Sequence, residues 1–107
     1  MGDTWITDMR HFLNGAGEIA DMPGPALGLA LSLGAIVAWV TSGRGAVNER
    51  TNVPCRRSPG RQRCRGVIEA ILTSDGAVSW GCPVCGDNGV TRGWEGTPWD
   101  RRDAAIR

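Results

Sequence analysis

Cys82-Pro83-Val84-Cys85-Gly86 is the stretch on which the fold turns. Two cysteines separated by two residues bring both sulfurs to one side of a tight loop, at the spacing tetrahedral zinc needs. Pro83 stiffens that loop. Gly86 permits the positive φ or close backbone approach that follows the second ligand, and Asp87-Asn88-Gly89 extends the turn chemistry. Upstream stand Cys55 and Cys64, a Cys-x8-Cys pair whose loop holds Ser58-Pro59-Gly60. Standard knuckles have two to four residues between ligands, so this pair rests on convergence of the loop's two ends rather than on a tight turn.

Between the pairs lies a hairpin signal. Residues Val67 to Thr73 are rich in β-branched side chains, Ser74-Asp75-Gly76 supplies the turn, and Ala77 to Trp80 return toward Gly81-Cys82. Gly89 to Trp94 can add a third short strand. The hairpin therefore delivers the second cysteine pair beside the first.

From Pro54 to Trp94 the chain resembles the zinc-ribbon families, on two cysteine pairs flanking a hairpin and on the CPVCG knuckle. The resemblance implies a three-stranded antiparallel sheet and one structural Zn2+ held by Cys55, Cys64, Cys82 and Cys85. Cys82 and Cys85 match the second knuckle; Cys55 and Cys64 match in role, over a longer spacing. Zinc ribbons bind nucleic acid, contact proteins or serve as inert staples, so the resemblance leaves the function open.

The chain has 107 residues and a formal net charge of +1, and its 12 basic residues are all arginine. That length allows one domain or two very small units, and a sub-domain of about 50 residues commonly needs a metal or disulfide staple. The charge is unevenly spread: Arg56, Arg57, Arg61, Arg63 and Arg65 stand between Cys55 and Gly66 without an acid among them. They are read as a solvated loop that offsets a zinc–tetrathiolate centre, with both tryptophans packed on the small sheet. The alternative is that they meet phosphates, with Trp94 or Trp99 stacking on bases.

The N-terminal half reads as a strand from Thr4 to Leu13, a break at Asn14-Gly15-Ala16-Gly17, and a helix from Ala26 to Thr41. Pro25 suits the helix start, Gly43 its end, and Leu29, Leu33, Ile36, Val37 and Val40 form its apolar stripe. No charge occurs between Asp21 and Arg44. The strongly apolar part, Ala26 to Val40, falls short of the roughly 20 residues that span a bilayer, so it is read as a helix packing on the zinc module. A membrane anchor with Arg44 and Arg50 behind it is the alternative. Residues Arg44 to Pro54 read as a polar linker. At the other end Thr97, Pro98 and Asp100 resemble a capping signature for a short helix from Trp99 to Arg107.

The expected architecture is α+β: a strand–helix segment (1–45) packing on a zinc-ribbon module with a short C-terminal helix (54–107), as one compact domain. Asp3 and Asp8 stand where a secretory signal would be basic. The chain is thus expected to be cytoplasmic, where thiols stay reduced and serve as metal ligands before disulfides. Enzymatic chemistry is not expected. The turn residues after Cys85 do not place the Cys-x-x-Cys at a helix N-terminus, as a redox thiol requires. The single histidine, His11, lacks the context of a zinc deaminase or a serine triad, although it could replace Cys55 or Cys64 as a ligand. The expected partner is a macromolecule, protein or nucleic acid, with no membrane.

Overall fold

The computed structural model describes residues 4–42, 49–56 and 62–102. The elements in chain order are β1 (Thr4–Asp8), a 3-10 turn (Met9–Phe12), α1 (Gly24–Thr41), β2 (Glu49–Pro54), β3 (Val67–Leu72), β4 (Val78–Gly81) and β5 (Asn88–Arg92). The strands form one five-stranded sheet in the order β1-β5-β4-β3-β2. The expected antiparallel meander is present as β3, β4 and β5, and it is widened at both edges. On one side β2 pairs antiparallel with β3, and on the other β1 pairs parallel with β5, Thr4 to Asp8 lying opposite Asn88 to Arg92.

Four expectations need correction. The expected three-stranded ribbon is a five-stranded mixed sheet, to which the N-terminal strand belongs. The linker beyond residue 48 is β2: Thr51 and Val53 turn inward and are buried, and the Thr51 hydroxyl donates to the Ile68 carbonyl at 2.8 Å. The expected C-terminal helix is replaced through Asp100 by turns. Thr97 Oγ1 donates back to the Trp94 carbonyl at 2.6 Å, and the Asp100 carboxylate accepts from the Gly96 N–H at 2.9 Å. The same polar residues that could cap a helix here close a turn. Residues 103–107 of that expected helix, and Gly43 as a helix end, lie outside the described residues. The Thr4–Leu13 strand also stops at Asp8, whose carboxylate accepts from the Arg10 N–H and caps the 3-10 turn.

Cross-strand register sets which side chains share a face. Ala70, Trp80, Gly89 and Trp5 lie in one row across the sheet, and Leu72, Val78, Thr91 and Thr7 in the next. Helix α1 lies across this face and contacts β2, β3 and β4. Its start suits the sequence: Pro25 stands in the first turn, where the missing N–H costs nothing, and the Leu27 N–H reaches the Pro23 carbonyl at 2.9 Å. Leu33, Ile36 and Val37 join Ile68, Ala70, Val78 and Trp80 in the core, with Leu29 and Val40 packed against it. The apolar stripe read from the sequence is thus the inner face. The outer side is also apolar, and Leu31 is 49% exposed. The helix is long and apolar enough to cross a membrane by length and composition, and a third of it is buried inside the protein (33%).

The segment after β5 closes the core from the side. Trp94 is 2% exposed and donates its indole N–H to the Gly76 carbonyl at 3.0 Å, which ties it to the β3–β4 turn. Trp99 is 7% exposed, and its indole packs against Gly34 of α1, where a Cβ would overlap the ring. The Arg101 N–H reaches the Thr41 hydroxyl at 2.9 Å and pins the segment to the end of the helix. Gly34 is therefore kept for the indole, against helix propensity. Alanine there should favour the helix by about 1 kcal/mol but lose about 1–3 kcal/mol to overpacking. Denaturant unfolding of Gly34→Ala is expected to show a net loss of stability.

Asp100 is nearly enclosed and takes three bonds from Arg102, which in turn stacks its guanidinium 4.8 Å from the Trp94 ring centroid. The Arg102 side chain, helped by the Gly96 and Arg102 N–H groups against burial, lowers the Asp100 carboxyl from its ordinary 3.8 to about 2. A depressed folded value stabilises above the unfolded one and is lost as pH falls through the folded one. Asp100→Asn is expected to flatten the loss of stability between about pH 4 and 2. Acid titration of both chains by circular dichroism measures this, since protonation of the cysteine site is common to them.

Candidate metal centre

Sheet topology brings the cysteines together. Cys55 follows the end of β2 and Cys64 precedes the start of β3; Cys82 follows the end of β4 and Cys85 precedes the start of β5. Because β2, β3, β4 and β5 are antiparallel neighbours, the β2–β3 and β4–β5 connections emerge side by side at one end of the sheet. The eight intervening residues of the first pair are no obstacle. Its two ends are fixed by strand pairing, and the Cys55 N–H donates to the Gly66 carbonyl at 2.9 Å.

All four Sγ atoms lie within 4.8 Å of one another. The closest approaches run between the pairs: Cys55 to Cys85 and Cys64 to Cys82, each 3.6 Å. Sulfurs bound at about 2.3 Å around tetrahedral zinc stand about 3.8 Å apart. The spacing is that of a coordination tetrahedron and far longer than the roughly 2.05 Å of a disulfide. The four cysteines thus cluster at metal-binding distance, consistent with a zinc site for one ion. Cys55, Cys64 and Cys82 are buried, and Cys85 faces solvent.

Backbone amides complete the cage. The Cys82 N–H donates to the Asp87 carbonyl at 2.7 Å and the Gly86 N–H to the Cys82 carbonyl at 3.0 Å, which closes the knuckle with Gly86 at φ 80°. On the other limb the Gly66 N–H points at Cys64 Sγ, 3.4 Å away. Burial opposes ionisation of Cys82, but the Cys85 and Val84 N–H groups and then the adjoining thiols outweigh it and hold that thiol below its ordinary value. At Cys85 the Asp87 N–H pulls downward, yet partial desolvation and the Cys82 and Cys64 sulfurs leave the thiol raised. Four sulfurs this close cannot all ionise without a cation among them.

The other singled-out residues are dispersed. Arg56, Arg63 and Arg65 are exposed beside the centre, and among the described residues none forms an ion pair. Arg57 and Arg61 lie outside the described residues. Trp94 is a core residue, its N–H committed to Gly76 and its ring face covered by Arg102, which fits the reading of the tryptophans as packed rather than the alternative of base stacking. His11 is exposed on the 3-10 turn and does not join the sulfur cluster. Gly66 escaped the sequence reading. A Cβ there would overlap Cys82 Sγ and press on Val84, and the only sequence signal is a glycine two residues after a ligand. No family model, curated protein or solved structure matches the chain.

Gly66→Ala is expected to displace the Cys82 sulfur and weaken metal binding about tenfold or more, as supporting residues around metal sites do. Chelator competition followed by metal-sensitive absorbance measures it against the parent chain.

Proposed function

We propose that the protein is a small zinc-binding module in which one zinc ion is structural and the surface around it meets a macromolecular partner. The convergence of four sulfurs within 4.8 Å carries this reading. Four thiolates fill a tetrahedron and leave no position for substrate or water, unlike the three-ligand set of catalytic zinc. The knuckle also runs into turn residues and β5 rather than into a helix that would activate a redox thiol. Both features favour a staple over a reaction centre. Zinc binding then contributes directly to folding, on the order of 10 kcal/mol in apparent terms for such sites.

Packing of α1 on the sheet supports a helix belonging to the domain core, and with reducing cysteine chemistry it fits a cytoplasmic protein without membrane attachment. For the partner, the exposed and unpaired Arg56, Arg63 and Arg65 favour an anionic surface. A nucleic acid held through its phosphates is a second reading, in which no stacking by Trp94 takes part. Binding that does not weaken with added salt would reject it.

Native mass spectrometry of the purified chain is expected to show one zinc per protein, removed by a strong chelator with loss of tertiary circular dichroism. Cys64→Ser and Cys82→Ser should each lose the metal. A metal-free chain that keeps its fold, or a chelator-treated one that does, would overturn the structural-zinc reading.

A further inference from the structure

Beside the sulfur cluster, between α1 and the sheet, opens a cavity of about 480 Å3. This lies in the size range of small-molecule pockets. Its helix wall is Leu29, Leu33 and Ile36, and its floor is Ile68 with the ring of Trp80. Arg56, Asp87 and the indole of Trp5 also line it. Asp87 keeps its negative charge but is engaged, accepting the Trp5 indole N–H at 3.1 Å. Arg56 is not: its guanidinium rests against Gly28 of the helix, and it forms no ion pair among the described residues. Trp5 leaves 48% of its surface exposed, apolar area that an occupant would cover.

We infer that this cavity binds a small apolar monocarboxylate, with its hydrocarbon body between α1 and β3–β4 and its carboxylate paired with Arg56. Charge complementarity selects the head group. A guanidinium beside an apolar chamber matches the fork of a carboxylate and offers a neutral molecule much less. The walls favour the body: Leu29, Leu33, Ile36 and Ile68 supply hydrocarbon, with Ser32 and Thr7 as the polar side chains among them, so aliphatic or phenyl-alkyl chains suit most of the lining. Arg56 directly follows Cys55 in the chain, so the head-group residue is anchored by the same loop end that supplies a sulfur. The inference goes beyond the structural-zinc reading and does not depend on the identity of the metal.

Octanoate and its neutral analogue octanamide, titrated into the intact purified protein by calorimetry and by tryptophan fluorescence, test it. Octanoate is expected to bind, octanamide about tenfold more weakly, and Arg56→Gln is expected to weaken octanoate about tenfold without changing octanamide. Methyl resonances of Leu33, Ile36 and Ile68 are expected to shift on titration of the unmutated protein. Ser32→Phe, which fills the chamber from the helix side, is expected to abolish binding, whereas Leu31→Gln on the outer face of α1 is not. The inference is overturned by absence of octanoate binding at millimolar concentration or by equal affinity for octanamide. An unchanged affinity in Arg56→Gln, or shifts confined to the outer face of α1, would overturn it as well.

Discussion

Four sulfurs gathered within 4.8 Å of one another repel as thiolates, and the backbone at this end of the sheet is arranged around that charge. The knuckle turn, the Gly66 amide aimed at Cys64 and the amides around Cys82 all stabilise negative charge on sulfur. A dication held among them would resolve the repulsion and join the β2–β3 connection to the β4–β5 connection. The strands behind the cluster are short, between four and six residues for β2 to β5. A sheet of such strands has little independent stability, which a metal cross-link at its end would offset.

The rest of the stability comes from unusual use of bulky side chains. Trp80, Trp94 and Trp99 are all buried, two of them supplied by or after the last strand. They fill space that a second helix would otherwise fill. The cost appears in the glycines that accept them: Gly34 under Trp99, and Gly89 under Trp80. Large rings on bare backbone let one helix and one sheet make a core in a chain of 107 residues.

Legibility in the sequence followed the physics of each signal. The knuckle, the Asp75-Gly76 hairpin and the inner stripe of α1 are local patterns, and each reappears in the structure. Strand β2 is hidden because Arg50, Thr51 and Asn52 read as linker; its buried positions, Thr51 and Val53, alternate too briefly and include a polar residue satisfied across the sheet. The C-terminal turns were misread because Thr97 and Asp100 carry the chemistry of a helix cap, and only the nearby Trp94 carbonyl and Gly96 N–H decide which they close. The eight-residue spacing of the first cysteine pair looked irregular in the sequence. Strand pairing sets its geometry, and pairing partners are not written locally.

The parallel pairing of β1 with β5 joins the first strand of the described residues to the last. As the chain leaves a ribosome, residues 4–8 therefore emerge with no partner. They stay so until β5 has been made and the meander has formed a surface to receive them. The hairpin and its cysteine end can assemble from contacts close in sequence, whereas the docking of β1 must close almost the full length of the chain. By loop-closure length the hairpin and its cysteine end are expected to assemble before the N-terminal strand covers the flank of β5.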